Sequence, residues 1–520
     1  MTTTMLLRGG RVADGIGAAT RRADVLIEGE AIASIGAVSA VPPGCDVIDL
    51  ASGSVICPGF IDAHAHAEGP LLAAGRADGA LAQGVTTLVT GQDGQSWIGA
   101  TADTANYLNR YFGAVNGLLE PARDLSVAAY GEALAGKLSQ NVAVLASQGT
   151  IRHNIAALAS RPLDSVERTA ARRQLERALA EGAVGLSSGL DYLPSRFGDI
   201  DELADMARPL AAAGRPYVSH LRGYGPDVRA GLGELVAVGR AAGIRVHASH
   251  LWGARADVEA ALLAAAGAGV TISYDMYPYR KSSTILAMLL LPPDLQARGP
   301  DQTLAALADP GQRATLLADE RFTDAYLAGL TLGCLPAGLA DLAGQTITQA
   351  AARSSEPTDG SAGGWVLDLL TAADLGVGAH LDRPAPPTDE DLAWLVTDDR
   401  HCAGSDAIYQ GQHPHPRGYG AFARLAARYL ADGHDTGYQR LARHLAANAA
   451  DVYGLRDRGR LAPGTAADIA VIGPPGITEH ATYDAPLENA TGVWMVIVNG
   501  AVTWREGHPV TTTFPGRLVS

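Results

Sequence analysis

Eight strand-like segments alternate with helix-like segments through the middle of this 520-residue chain, and this alternation constrains the fold more than any other feature. The apolar, strand-like runs occupy residues 59–66, 85–91, 142–148, 183–188, 216–220, 245–250, 270–274 and 402–406. Stretches of helical composition and length, such as 164–181, 202–213 and 226–242, separate most of them. This order is typical of an α/β chain folded as a (β/α)8 barrel.

The two ends of the chain and one long interruption do not follow this alternation. Short β-rich segments fill residues 1–57 and 455–520, so we expect both termini to build one β-sandwich. The segment between the seventh and eighth strands is longer than a barrel repeat needs and is broken by proline and glycine. The sequence therefore predicts a barrel made of 58–285 with 395–454, and a lobe of 286–394 inserted between strands seven and eight.

The amino-acid composition limits the kinds of molecule that this chain is expected to bind. The chain has 40 Lys and Arg against 55 Asp and Glu, a formal net charge of −15, which disfavours nucleic acid and anionic membranes. Four cysteines are too few for a disulfide framework, and the apolar stretches are too short to span a bilayer. We therefore expect a cytoplasmic protein that acts on a small molecule, with assembly into a homo-oligomer left open.

Polar side chains stand where the predicted strands end. His64 and His66 close the first strand and, being two residues apart, face the same side. The ends of strands two, five, six and eight contribute Asp93, His220, His250 and Asp406. Barrel active sites lie at this rim, and imidazole and carboxylate groups suit zinc and similar divalent ions. Six such ligands predict a site for one or two divalent ions, zinc first, about 4 Å apart with Asp93 between them.

Several other histidines are expected to be structural. His247 lies three residues before His250 and should point away from it. A lone histidine is more often a hydrogen-bonded structural residue than a ligand. We therefore expect six histidines in surface or loop positions: His380, His401, His434, His444, His480 and His508.

The motifs around these residues resemble those of the amidohydrolase superfamily, and more narrowly its D-aminoacylase (N-acyl-D-amino-acid deacylase) group. The first-strand signature is CPGFIDAHAH at 57–66. The likeness continues in GVTT at 84–87, GLSSGLDY at 185–192, SH at 249–250, DMYPY at 275–279, GSD at 404–406, HPRGYG at 415–420, GTAADI at 464–469 and VNG at 498–500. It therefore extends nearly end to end, except over the inserted lobe.

The resemblance implies a metal-dependent hydrolase with a (β/α)8 barrel and a β-sandwich built from both termini. It implies that His220 and His250 hold the tighter metal with the strand-two residue. His64, His66 and Asp406 would complete the second position. Asp406 would also take the proton from the attacking water and pass it to the leaving nitrogen.

This chain departs from the group at three positions. The group usually has a cysteine where this chain has Asp93, a harder anionic ligand. It usually has an aspartate shortly after the histidine pair, where this chain has Glu68. It often has a lysine two residues after the strand-six histidine to bind the substrate's α-carboxylate, where this chain has Trp252. A carboxylate would then need Arg280, Lys281 or Arg417, or Trp252 would stack on an aromatic or apolar group.

The scarcity of lysine bears on the metal bridge. Related amidohydrolases join two metals through a carbamylated lysine at the end of strand four. Here that strand ends in Ser187 and Ser188, and neither Lys137 nor Lys281 lies there. We therefore expect Asp93 to be the bridge.

The function predicted is hydrolysis of an amide C–N bond by metal-activated water, most directly deacylation of an N-acyl-D-amino acid or a related N-acyl compound. Asp406 is the predicted general acid and base, and Tyr192 or Tyr279 would stabilise the oxyanion. The alternatives are a cyclic-amide hydrolase of the hydantoinase or dihydroorotase type and a hydrolase of secondary-metabolite amides. A catalytically inactive homologue used for assembly or binding is the alternative outside enzymes.

Overall fold

Eight parallel strands form a closed barrel in the computed structural model, which describes residues 4–17, 19–354, 360–383, 385–431 and 435–520. The strands are Phe60–Asp62, Val85–Thr90, Asn141–Val144 with Ala146–Ser147, Leu186–Gly189, Tyr217–His220, Val246–Ala248, Ile272–Met276 and His401–Ala403. Each pairs in parallel with the next. A hydrogen bond of 3.0 Å from the Ala63 amide to the Ala403 carbonyl closes the ring between the eighth and first strands. The predicted (β/α)8 barrel is confirmed.

Helices cover the outside of the barrel, so its strands are buried on both faces, as in Val85–Thr90. The helix predicted over 164–181 runs from Ser165 to Ala180, because the Asp164 side chain caps its first turn and Glu167 bonds back to the Asp164 amide. No helix in the described ranges is long and apolar enough to cross a membrane. The helices of this part of the chain are Glu68–Ala74, Asp78–Leu81, Ala102–Tyr111, Gly113–Asn116, Val127–Leu134, Gln148–Ala156, Ser165–Ala180, Ile200–Ala207, Pro209–Ala213, Val228–Ala242, Arg255–Gly267, Asp389–Thr397, Arg417–Leu430, Asp435–Ala442, Arg443–Ala447 (a π-helical segment) and Asn448–Tyr453.

The two chain ends build two sheets that share one apolar core. Strand Val55–Pro58 pairs antiparallel with Ile469–Ile472, which joins the amino-terminal strands to the carboxyl-terminal ones in a seven-stranded sheet. Leu7, Ile27 and Ile497 lie in the common core. The strands are Thr4–Arg8, Arg11–Val12, Arg21–Arg22, Asp24–Glu28, Ala31–Gly36, Asp46–Asp49, Val55–Pro58, Ile469–Ile472, Val493–Val498, Ala501–Arg505 and His508–Pro509.

The long connection between strands seven and eight forms a lobe with a core of its own. Strands Lys281–Ile285, Gly378–Asp382 and Leu330–Cys334 make an antiparallel sheet in that order. Leu332 and Val366 belong to its separate apolar cluster. The lobe helices are Leu286–Leu290, Pro293–Gln296, Pro300–Ala308, Pro310–Leu317, Asp324–Leu327, Ile347–Arg353 and Ala362–Ala372. Because the lobe leaves the barrel at the carboxyl end of strand seven, it lies on the side where barrel active sites form.

Candidate metal centre and active site

The six predicted metal ligands meet at the carboxyl ends of five barrel strands. Two groups of their side chains have ligand atoms that all lie within 4.8 Å of one another. The first group is His64, His66, Asp93 and Asp406, and the second is Asp93, His220 and His250. Asp93 belongs to both, so this carboxylate stands between two places suited to an ion.

The distances between ligand atoms are those of a cluster that faces one point. Asp93 Oδ1 is 3.6 Å from His64 Nε2 and 3.5 Å from His250 Nε2. Asp406 Oδ1 lies 3.4 Å from His66 Nε2, and His220 Nδ1 lies 3.1 Å from His250 Nε2. Imidazole nitrogens and carboxylate oxygens at such separations can share an ion at ligand distances of about 2.0–2.2 Å.

Buried polar atoms show that a divalent ion fits these residues. His64 Nε2 and Asp93 Oδ1 are inaccessible to water and have no hydrogen-bond partner within the described residues. Such atoms are rare in folded proteins because their desolvation is costly. Metal ligation would satisfy His64 Nε2 and Asp93 Oδ1, which face the cluster.

The backbone is strained at three of the six residues. Asp93, His250 and Asp406 have φ angles of 55°, 36° and 50°, in the left-handed region that side chains other than glycine rarely adopt. Each such residue costs on the order of 1–3 kcal/mol and persists where the surrounding structure enforces it. The turn after each of these strands is therefore held in a conformation that aims its side chain into the cluster.

The second nitrogen of three histidine rings faces a fixed polar partner. His66 Nδ1 lies 2.9 Å from Asn116 Oδ1, His220 Nε2 lies 3.3 Å from Asp191 Oδ2, and His64 Nδ1 lies 3.4 Å from Asp275 Oδ2. Partners of this kind orient a ligand ring and raise its basicity. Sequence reasoning missed Asn116, Asp191 and Asp275, although Asp191 and Asp275 lie inside the GLSSGLDY and DMYPY motifs.

Asp406 is placed by contacts at both of its carboxylate oxygens. Oδ1 faces the histidines, while Oδ2 lies 2.7 Å from Arg417 Nη1, and the Arg417 side chain is fully buried. Burial raises the pKa of Asp406, but the charge of Arg417 and contacts with the ligand histidines outweigh it, so the pKa lies below the ordinary aspartate value. The carboxylate is thus kept ionised.

Asp62 fixes the turn that carries Asp406. Its Oδ1 accepts from the Ser405 amide at 2.8 Å and its Oδ2 accepts from Ser405 Oγ at 2.5 Å. Burial raises the pKa of Asp62 to about 7. This carboxyl, which sequence reasoning missed as a site residue, ties the eighth strand to the first directly beneath the cluster.

A cavity of about 160 Å³ opens onto the cluster. Of the predicted substrate-binding residues, Tyr192 and Trp252 line it. Arg417 lies behind Asp406 and contacts the Tyr277 ring at 4.7 Å. The remaining two lie outside the cavity: Tyr279 donates to Glu479, and the exposed Arg280 pairs with Asp389. Lys281 is likewise paired, with Asp382.

Comparisons with known proteins agree with this geometry. Residues 369–504 match the family model described as Amidohydrolase family. An N-acyl-D-glutamate deacylase of Alcaligenes xylosoxydans xylosoxydans is 33% identical over 99% of this chain and 96% of its own length. The chain belongs to the amidohydrolase family.

Two solved structures place this amidohydrolase in the D-aminoacylase group. A D-aminoacylase with a binuclear metal centre is 29% identical, with a TM-score of 0.80 over 99% of both chains. The N-acyl-D-glutamate deacylase of Bordetella bronchiseptica, solved with zinc and a phosphonate inhibitor, is 27% identical, with a TM-score of 0.81 over the full length of both. The predictions of a metal-dependent hydrolase of non-peptide C–N bonds and of a divalent-metal cofactor are confirmed.

The amidohydrolase places one arginine at the cavity that sequence reasoning missed. Arg383 follows the lobe strand Gly378–Asp382 and lines the cavity with its side chain 94% buried, at a relative exposure of 6%. The sequence prediction considered only residues at the ends of barrel strands. Arg383 follows a lobe strand instead, and no motif marks its position. The cation expected among Arg280, Lys281 and Arg417 is therefore supplied to the cavity by the lobe.

The other histidines of the amidohydrolase are mostly buried. His247 Nε2 donates to Asp275 Oδ2 at 3.0 Å, and its Nδ1 lies 2.8 Å from Ser273 Oγ. His380, His401 and His444 are buried, so the expectation of surface or loop positions was wrong for these three. His480 and His508 are exposed as expected, and His434 lies outside the described residues. These three buried histidines lie where strands pack against helices. The sequence pattern around a single residue does not reveal such packing.

Glu68 and the strand-four serines make structural hydrogen bonds. Glu68 Oε1 accepts from the Gly91 amide at 2.9 Å and from Ser96 Oγ at 3.1 Å. Ser187 Oγ accepts from the Gly94 amide at 3.0 Å, and Ser188 Oγ lies 2.6 Å from the Tyr217 hydroxyl. These contacts brace the turn that presents Asp93.

Proposed function

We propose that this amidohydrolase removes the acyl group from an N-acyl-D-amino acid or a closely related N-acyl compound. The observation that carries the proposal is the cavity itself, which has the His/Asp cluster on one wall and the buried guanidinium of Arg383 on another. A substrate of this class would place its amide bond over the cluster and its carboxylate on Arg383. The named deacylases among its relatives support this substrate class.

The six ligands divide between two ion positions that share Asp93. The second group, Asp93, His220 and His250, would hold one ion, and the first group, His64, His66, Asp93 and Asp406, would hold the other. A bound zinc or similar ion lowers the pKa of a water ligand toward neutrality and polarises a carbonyl. Asp93 supplies negative charge to both positions, the role that a carbamylated lysine or a cysteine has in related enzymes.

Asp406 would move the proton. Its Oδ2 is engaged by Arg417, so Oδ1, facing the cluster, is the atom that accepts a proton from the attacking water and returns it to the leaving nitrogen. The hydroxyl of Tyr192, held 2.7 Å from Thr284 Oγ1, lies on the cavity and would stabilise the negative oxygen of the transition state. The products are a carboxylic acid and a free amine.

Free thiols support a cytoplasmic setting. Cys45, Cys57, Cys334 and Cys402 are all unpaired. Disulfides are rare where the compartment is reducing. We propose that the enzyme acts there on a small-molecule amide.

A substrate panel with one matched pair of variants tests the proposal. N-acetyl derivatives of D- and L-amino acids are compared with hydantoin and dihydrouracil for release of free amine or ring opening. Asp406→Asn should lower kcat on the best substrate by about 10²–10⁴-fold, the usual contribution of a general acid and base. Asp389→Asn, an exposed aspartate paired with Arg280, is the control and should leave kcat unchanged.

Turnover of cyclic amides without release of amine from any N-acetyl-D-amino acid would replace deacylation with cyclic-amide hydrolysis. Normal kcat in Asp406→Asn, with metal content equal to that of the wild type, would show that Asp406 is not the proton carrier.

A further inference from the structure

Arg383 is a buried cation without an acidic partner. Its Nε donates to Ser282 Oγ at 2.8 Å, its Nη2 donates to the Tyr277 hydroxyl at 2.8 Å, and its Nη1 donates to the Tyr279 carbonyl at 3.3 Å. All three acceptors are neutral, and no carboxylate in the described part of the chain forms an ion pair with it. A guanidinium has five N–H groups, so two remain for a ligand, enough for one carboxylate.

Aromatic rings hold this guanidinium in place. Its Cζ lies 4.8 Å from the centre of the Trp252 ring and 5.2 Å from that of Tyr277. Trp252 in turn stacks on Tyr224, with centroids 6.2 Å apart and planes at 4°. Trp252 therefore provides a neutral surface for the arginine at the position where the resembled group often has a lysine.

The rest of the cavity lining offers no second lysine or arginine to a carboxylate within the described residues. Within the described residues, Arg383 is the one lysine or arginine on its lining. The Asp191 carboxylate also lines it, 3.3 Å from His220 Nε2. The remaining wall combines the hydroxyl groups of Ser282, Ser283 and Thr284 with apolar side chains, those of Phe112, Val115, Met288, Leu289, Leu381 and Ile408.

We propose that Trp252 is a specificity-determining residue, and that this enzyme accepts N-acyl amino acids with one carboxylate and an uncharged side chain while rejecting N-acyl diacids. The inference rests on the proposed deacylase function. A side-chain carboxylate would lose its water without gaining a cation and would face Asp191. The preference separates this chain from the N-acyl-D-glutamate deacylase to which it is 33% identical.

Two substrates of nearly the same shape test the preference. N-acetyl-D-glutamine and N-acetyl-D-glutamate differ in one charged group, so their kcat/KM ratio on the metal-loaded enzyme reports charge discrimination alone. We expect a ratio of at least about 10 in favour of glutamine, seen mostly in KM, because an unpaired charge is excluded at binding. Equal values, or a preference for glutamate, would overturn the inference.

Matched variants test the role of Trp252. Trp252→Lys adds a positive charge that attracts a dianion more than a monoanion, so it should lower the glutamine-to-glutamate ratio at least about fivefold by improving KM for glutamate. Trp252→Phe keeps a neutral ring and should keep the wild-type ratio, even where both rates fall. An unchanged ratio in Trp252→Lys, measured at wild-type metal content, would contradict the role of Trp252.

The outcomes also separate this inference from the proposed function. Release of amine from neither glutamine, glutamate nor the other N-acetyl-D-amino acids would overturn both. Hydrolysis of glutamine and glutamate derivatives at equal rates would leave the deacylase function standing and overturn the preference. Because the wild-type ratio needs no variant, the preference is tested even where Trp252→Lys fails to fold.

Discussion

At the scale of single residues, Arg417 engages one oxygen of Asp406 and leaves the other facing the histidine cluster. Its Nη1 lies beside Asp406 Oδ2, its Nη2 donates to the Ser283 carbonyl at 3.4 Å, and its Cζ contacts the Tyr277 ring. A buried cation beside a carboxylate stabilises the charged form of that carboxylate. Arg417, expected at the substrate, thus lies one layer behind it, and the neighbouring Tyr277 contacts both Arg417 and Arg383.

Replacing Arg417 should shift the pH dependence of hydrolysis. Its charge helps hold the pKa of Asp406 below the ordinary value, so Arg417→Met raises that pKa. Since the general base must be ionised, activity should then be lost at a higher pH as the solution is acidified. We expect the acidic limb of the kcat/KM profile to move up by about one pH unit, equivalent to roughly 1.4 kcal/mol.

Arg417→Lys is the matched control for this pH profile because it retains the positive charge. Its acidic limb should lie between those of the wild type and Arg417→Met. An acidic limb that stays in place in Arg417→Met, with metal bound, would show that Arg417 has no influence on the ionisation of Asp406.

At the scale of elements, the eighth barrel strand is stabilised by histidines that remain neutral. His401, its first residue, lies 3.3 Å from the Tyr429 hydroxyl and 3.4 Å from His444 Nδ1, and the His444 ring stacks on Tyr429. Burial, with the neighbouring His444, lowers the pKa of His401 to about 3, and burial lowers the pKa of His444 to about 4. The eighth strand, which leads to Asp406, therefore packs against neighbouring helices through His401 and His444, whose rings stay neutral.

This packing predicts a loss of stability in mild acid. As the pH falls below about 6.5, the unfolded chain protonates these histidines while the folded chain does not. The free energy of unfolding should then fall by up to about 1.4 kcal/mol per pH unit for each, until the folded pKa is reached. Urea unfolding at pH 7.5 and pH 5 measures the difference.

His401→Gln should reduce this pH dependence, whatever its effect on stability at pH 7.5, because glutamine does not titrate. His508→Gln, at an exposed position, is the control. If His401→Gln retained the full wild-type difference between the two pH values, His401 would not be its source.

At the scale of the whole molecule, the metal cluster joins parts of the chain that are far apart in sequence. Its residues run from His64 to Asp406, and the cavity over it is completed by lobe residues such as Leu381 and Arg383. The unfolded chain does not hold these ligands together, so metal binding is coupled to folding. We propose that the lobe forms the wall of the cavity that faces the substrate.

Removing the metal should destabilise the folded barrel. A ligand at 100 times its Kd adds about 2.7 kcal/mol to the free energy of unfolding, so chelation should lower the midpoint of thermal unfolding by several degrees, and zinc should restore it. In His220→Ala the effect of the chelator should be smaller, since one ion position has lost a ligand. An identical midpoint before and after complete removal of metal from the wild type would contradict this coupling.

The barrel, the sandwich of the termini and the six clustered ligands were accessible from the sequence, because strand and helix periods and the rule of strand ends are local patterns. The sequence also showed that Trp252 stands where the D-aminoacylase group often has a lysine. What the sequence did not indicate was Arg383 at the cavity, Arg417 behind Asp406 and the burial of His380, His401 and His444. These depend on contacts between segments distant in the chain, and a local pattern contains no information about which distant side chain fills the space beside it. The tertiary structure alone decided that Trp252 faces an arginine, because Arg383 reaches it from a lobe strand more than a hundred residues further along the chain.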